Sequence, residues 1–275
     1  GRISKRGVYP LSWTLDHTGP MTRTVTDNAL MLNAISGYDV NDLDHVPTER
    51  EDFTRQLGQS IEGKVIGVPT SFFNENVEPE IASQIERTAK ELEALGASIV
   101  HIDIPDMADI EHAQRTIIRS EAYAIHEPNL KQYPDQWDDE VKERLYTGLD
   151  VPGYEVANAH RIRKSARKEY HQLFKQIDAL LTPTMMVFPP GINERYIGGD
   201  TSEEAHIRWT ILKFTQPFNL LGLPGLSVPC GFSEKGMPIG AQLIGPDFSE
   251  ATLYQLGYAL EQKLNLPTAK LEIND

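Results

Sequence analysis

Apolar positions along the chain follow two patterns, helical spacing and short dense runs. Val25, Leu30, Leu32 and Ile35 stand among polar residues between Thr24 and Ile35, and Gly37 follows as a stop. Thr24 with Asp27 three residues on resembles a capping box and places a helix start there. Residues 40–62 are polar and loop-like. Lys64 to Val68 is a short apolar run ending at Pro69, Glu78 to Leu95 is amphipathic and closed by Gly96, and Ala97 to Asp103 is a second run. That succession predicts two parallel strands joined through a helix by a right-handed crossover.

Residues 106–176 read as mostly helical, with breaks expected near Pro128, Pro134 and Pro152. Ile177 to Pro183 is a strand running into a turn, and Pro189 to Thr201 an irregular loop. Glu203 to Phe218 is predicted as one helix that ends before Pro217 or kinks there. Leu226 to Pro229 and Ile239 to Ile244 read as strands around a Gly-rich turn, before a closing helix from Ser249 to Lys263. The expected fold class is α/β, a twisted mixed sheet flanked by helices on both faces. No linker divides residues 1–275, so a single domain segment is expected.

Composition narrows the partners. A formal charge of −14 counts against nucleic acid or an anionic membrane, because phosphate binding needs clustered cations. Arg161, Arg163, Lys164, Arg167 and Lys168 scatter around a helix and read as a solvated face rather than an RNA contact. Cys230 is the only cysteine, so no disulfide forms within the chain, and it reads as a packed small hydrophobe. No apolar run approaches the ~18 residues of a membrane span. With no targeting pattern either, the expected location is cytoplasmic.

Isolated motifs carry little. His126-Glu127 begins like a zinc-protease motif, but Leu130 replaces the second His and Pro128 intervenes. Asp39-Val40-Asn41-Asp42-Leu43-Asp44 hints at a calcium loop. Leu43 and Asp44 nevertheless sit where an oxygen ligand and a Gly are required, and Arg50 replaces the closing Glu. Neither a metal nor a cofactor is expected.

Four ordered stretches carry more. They are Gly1 to Asp27, Asp178-x-Leu180-Leu181-Thr182-Pro183-Thr184, Pro217-Phe218-Asn219-Leu220-x-Gly222-x-Pro224-Gly225-x-Ser227-Val228-Pro229, and Gly236-x-Pro238-x-Gly240-x-Gln242-x-Ile244-Gly245. In order and spacing the chain resembles the amidase signature family after its catalytic loop. The resemblance implies hydrolysis of carboxylic amides by a Ser–Ser–Lys relay with a glycine-rich oxyanion loop. It also implies that this machinery precedes Gly1, so the fold is expected to be incomplete at its N-terminus and no catalytic residue is expected within the chain. Gly198-Gly199-Asp200-Thr201-Ser202 superficially resembles the missing loop, but Glu203 and Glu204 follow where Gly-Gly-Ser is required. Lys164 and Ser165 are neighbours on a helix, so their side chains diverge.

The expectation is therefore an amidase segment, active only with its upstream part, which would be its partner together with a small-molecule amide. A homodimer fits as well. The alternatives are a non-catalytic remnant that keeps the pocket, and the glutamine-hydrolysing subunit of a tRNA-dependent amidotransferase. That subunit would place an acidic group before the Pro-Phe-Asn turn, where Ile211-Leu212-Lys213-Phe214 stands here, although Arg144 resembles an arginine near its pocket. A general amidase is preferred.

Support is expected from Asp16 and Arg23, pairing across the Gly19-Pro20 turn either as a plain ion pair or to pin the segment. Substrate contacts are expected at Thr184, Gln216, Asn219 and Gly222, near strand ends where open α/β sheets bind ligands. Gly222 and Gly225 serve either close approach of backbone to substrate or turn geometry alone. Tyr146, Met185 and Phe188 are candidates for walling an apolar acyl site or for the core.

Overall fold

Helix α1 (Val25–Ile35) starts where the Thr24 side chain accepts the Asp27 N–H, so the cap read from sequence is formed. The computed structural model describes residues 1–197 and 206–267. Strand β1 (Val65–Pro69), helix α2 (Pro79–Ala94) and strand β2 (Ser98–Ile102) follow, and the two strands pair in parallel. Strand β3 (Ala179–Pro183) lies parallel to β1 on its other side. Strands β4 (Gly225–Phe232) and β5 (Pro238–Ile244) pair antiparallel, and β5 closes against β3. The result is a five-stranded mixed sheet in the order β2-β1-β3-β5-β4.

Between β2 and β3 run α3 (Met107–Gln132), α4 (Asp139–Tyr146) and α5 (Gly153–Leu173), with single 3₁₀ turns at Pro134–Gln136 and Thr147–Asp150. Pro128 does not break α3 as expected. It lies near the helix end, and the final turn is retained because His126 and Leu130 are buried there, His126 packing edge-on against Trp137. The helix expected over Glu203–Phe218 is also corrected. Glu203 to Ala205 lie outside the described residues. The remainder forms α6 (Ile207–Leu212) and α7 (Gln216–Leu221), separated at residues 213–215. Pro217 opens α7 instead of closing its predecessor, because in a first turn its missing N–H deprives no carbonyl of a partner.

Strand alternation explains how both faces are covered. Ala179 and Leu181 of β3, with Ala241 and Leu243 of β5, pack into a core shared with α1, α2 and α8 (Glu250–Leu264). Leu180 and Ile244 point the other way, into a core shared with α3, α5 and α7. Each fully buried leucine contributes roughly 2–3 kcal/mol relative to exposure.

Candidate active site

Residues 11–17 run ahead of α1 without regular structure of their own, and side chains from elsewhere fasten them. The Asp16 carboxylate accepts the N–H groups of Leu11 (2.8 Å) and Ser12 (3.1 Å). Glu121, from the middle of α3, accepts the Thr14 N–H at 3.0 Å and hydroxyl at 2.9 Å, and the Ser12 hydroxyl. Held through these N–H groups, the segment presents adjacent carbonyls to two further elements. Arg163 of α5 donates to the Thr14 carbonyl at 3.2 Å, and Asn219 of α7 donates to the Leu15 carbonyl at 2.6 Å.

A cavity of about 1100 Å³ opens beside these contacts. Its walls include His17 and Met21, Arg163 and Arg167 of α5, Asn219, and Ser227 of β4. Arg167 donates to the Leu221 carbonyl and to Asp247 at 2.9 Å, and Asp247 also meets His171 at 3.0 Å. Arg163 differs from it. Among the described residues Arg163 has no carboxylate partner, and burial with the nearby Arg167 pushes its guanidinium below the ordinary range. Its remaining N–H groups are not buried, so they are available to whatever enters the cavity.

The His17 residue stands exposed at the cavity wall, with one edge of its ring packed onto the backbone. Its Nδ1 lies 2.8 Å from the Leu15 carbonyl and is assigned as the protonated nitrogen, since a carbonyl can only accept. Burial lowers the His17 pKa, the Leu15 carbonyl opposes this, and Lys5 and Arg163 add to it. Each carboxylate in the wall holds at least one partner, although Asp247 Oδ1 is buried without one among the described residues. Asp16 holds backbone, Asp44 meets Lys5 at 3.0 Å, Asp247 holds Arg167, and Glu250 meets Arg2 at 2.7 Å.

Of the residues singled out from sequence, Asp16, Asn219 and Gly222 line this cavity, whereas Thr184, Gln216 and Arg23 do not. The pairing of Asp16 with Arg23 is corrected, because backbone N–H groups closer in the chain occupy the carboxylate. Thr184 Oγ1 lies 2.7 Å from Ser227 Oγ, one step behind the wall. Gly240 permits that contact, since a Cβ there would stand 2.8 Å from the Thr184 hydroxyl. Gln216 is buried and turned to Glu111 of α3, donating at 3.1 Å. Gly222 ends α7 at φ 67°, and a Cβ there would come within 2.9 Å of Arg167.

Tyr146, Met185 and Phe188 do not wall the cavity either. Tyr146 packs against Tyr123 and Phe188 against the α1/α2/α8 core. Arg144 lies on α4, away from the cavity wall. The Gly198–Ser202 stretch lies outside the described residues, and Ser165 is turned to Glu169 at 3.2 Å. Asp39 accepts from Ser4, Arg6 and the Asn41 N–H, and Asp42 from the Lys5 N–H. The loop is thus a clamp on residues 4–6, with Arg6 first among the groups holding Asp39 well below the usual carboxylate range. Burial pushes the Cys230 thiol up to about 11.

The sequence reading missed Arg163, Arg167, His17 and Glu121 as parts of the site. One signal was available. Arg163 and Arg167 are four apart, which puts them on one helix face, while Arg161, Lys164 and Lys168 are exposed.

The family model for Amidase matches residues 1–254. The chain is 34% identical over 98% of its length to a glutamyl-tRNA(Gln) amidotransferase subunit of Ligilactobacillus salivarius, covering 59% of that protein. It is 33% identical over 95% of its length to an amidase of Pseudomonas putida, covering 56% of it. A crystal structure of an amidase superposes with a TM-score of 0.80 at 29% identity, over 96% of this chain and 56% of that one. The chain thus spans a little over half the length of the relatives it matches. Ordered motifs, mixed sheet and matched residues together establish that the protein belongs to the amidase signature family.

Proposed function

We propose that residues 1–275 form the substrate-holding part of an amide hydrolase whose substrate carries a carboxylate, with the nucleophile and its base contributed from outside these residues. One observation carries the choice of substrate: among the described residues Arg163 lines the cavity with a single carbonyl contact and no carboxylate partner. A partly desolvated guanidinium left without an anion is costly, and its planar fork matches a carboxylate in two parallel hydrogen bonds. Placing the nucleophile elsewhere is supported by the wall itself. Lys5 already gives its protons to Asp44 and the Trp13 carbonyl, and Ser227 is bonded to Thr184.

A glutamine side-chain amide is the second reading, favoured by the glutamyl-tRNA(Gln) amidotransferase relatives and by the same arginine. Its ammonium would need a carboxylate of its own, and each of the four in the wall already holds a cation or backbone N–H, with only the buried Oδ1 of Asp247 left without a partner among the described residues. Lys213, in the stretch expected to supply that acid, sits over the Phe72 ring. A general amidase acting on the amide of a short acid fits better.

Calorimetric titration with succinamate, which joins a carboxylate to a primary amide, tests the substrate class. Arg163→Ala is expected to weaken binding about tenfold or more, and exposed Lys164→Ala to leave it unchanged. Equal affinity in wild type and Arg163→Ala would remove the carboxylate from the proposal. Treating the chain with a fluorophosphonate and reading the intact mass is expected to give no adduct. A labelled Ser227 would move the nucleophile into this chain.

A further inference from the structure

His17 is the cavity residue with the least explained geometry. Its ring belongs to the wall, its Nδ1 faces the Leu15 carbonyl, and its Nε2 has no hydrogen-bond partner among the described residues. Asn219 donates to the same carbonyl, and its nitrogen, 3.0 Å from the protonated Nδ1, makes no hydrogen bond to the ring, so the Leu15 carbonyl alone orients it. The supporting backbone is itself tied down by Asp16 and Glu121. Such support fixes an imidazole with Nδ1 protonated and leaves Nε2 a bare acceptor.

The neighbouring carbonyl, that of Thr14, receives Arg163. Adjacent carbonyls of one short segment thus present a fixed cation and a fixed neutral acceptor to one cavity. We propose that His17 is a specificity-determining residue that accepts an N–H of the substrate amide through Nε2 while Arg163 holds the substrate carboxylate. This rests on the carboxylate reading of Arg163 and extends it to the other end of the ligand. An acceptor placed beside the amide nitrogen favours a ligand that offers an N–H over one that does not, modestly where water can take its place. Burial and the positive charges of Lys5 and Arg163 favour the neutral ring that the role requires.

Two probes isolate the acceptor. Succinamate and levulinate are the same length and carry the same carboxylate, but levulinate ends in a methyl where succinamate has its amide nitrogen. Wild-type protein is expected to prefer succinamate by about fivefold. His17→Phe is expected to abolish the preference at unchanged levulinate affinity, and His17→Gln, which can still accept, to retain most of it. Arg163→Ala is expected to weaken both ligands equally. Equal wild-type affinity for the two, still dependent on Arg163, would overturn the His17 assignment and leave the arginine reading standing. Binding independent of Arg163, or no binding of either probe, would overturn the arginine reading and this one with it. Ring nitrogen-15 shifts give a measurement on wild-type protein alone. The Nε2 resonance of His17 is expected to move with succinamate and stay in place with levulinate. Identical shifts with both probes would count against the acceptor role.

Discussion

The two sides of the sheet are built from different chemistry. The side facing α1, α2 and α8 is a dry core, where Ile66, Ala179, Leu181, Ala241 and Leu243 are essentially inaccessible. The other side combines an apolar core beneath α3, α5 and α7 with a polar wall, and the cavity reaches the edge of the dry layer at Leu32 and Leu253. Within that wall Glu121, Asp16, Arg163 and Asn219 hold an irregular segment through its backbone. Dry packing is non-directional and tolerates exchange of one apolar side chain for another of similar volume. The wall depends on particular donors meeting particular acceptors, so single atoms matter there. One side chiefly stores stability and the other chiefly stores position.

The largest effect expected from separating these roles is in the dry core. Leu181→Ala removes a side chain that is fully buried between β3 and the α1/α2/α8 layer. A loss of about 3 kcal/mol in urea unfolding is expected. Succinamate affinity of the folded protein should be unchanged, because Leu181 is not among the residues lining the cavity. A loss well under 1 kcal/mol would mean that this core is loosely packed.

The same division governs what the sequence revealed. Lys64 to Val68, Ile177 to Pro183 and Ile239 to Ile244 were legible as strands because burial imposes short, dense apolar runs. Thr24 and Gly96 were legible as a helix start and a helix stop because caps act within a few positions. The wall was not legible in the same way. Glu121 meets Thr14 at a separation of 107 residues, and Arg163 meets it at 149. No local periodicity reports such a pairing. Asp16 was expected to support the segment by pairing with Arg23, and it holds backbone N–H groups instead. A carboxylate beside free backbone N–H groups takes them first, while an arginine seven residues away must give up rotamer freedom to compete.

Glu121→Ala should break the comparison from the other side. It leaves the Thr14 N–H and two hydroxyls without their acceptor, for an expected cost of about 2 kcal/mol. Unlike Leu181→Ala, it should also abolish the preference for succinamate over levulinate, since both His17 and Arg163 lean on carbonyls of the segment it releases. Retention of that preference would show that the segment is held by its remaining contacts alone.

Gly222→Ala is smaller and sharper. The left-handed backbone at φ 67° costs a side chain about 1 kcal/mol, which thermal unfolding would register. The added Cβ would also press on Arg167, whose other bond is to Asp247. Binding of both probes should weaken by a similar small factor, about twofold to threefold, because Arg163 is displaced only through its neighbour. Unchanged affinity would confine Gly222 to the turn.

The smallest effect is the pH response of His17. Burial depresses its folded-state pKa below the ordinary 6.5, so across that window the unfolded chain binds more protons at this position than the folded one. The neutral ring's contribution to stability is therefore complete above about 6.5 and lost as pH falls through the folded value. His17→Phe lacks this contribution. Urea midpoints of wild type and variant should then keep a constant difference between about pH 7 and 8, and shift in the variant's favour toward about pH 5. Asp39 and Asp52, whose depressed carboxylates also make the fold sensitive to acid, are present in both proteins and drop out of the difference. A difference that stays constant down to pH 5 would mean that the ring titrates as freely as in the unfolded chain. The wall would then position His17 without holding it neutral, and the contrast with the dry core would narrow to geometry alone.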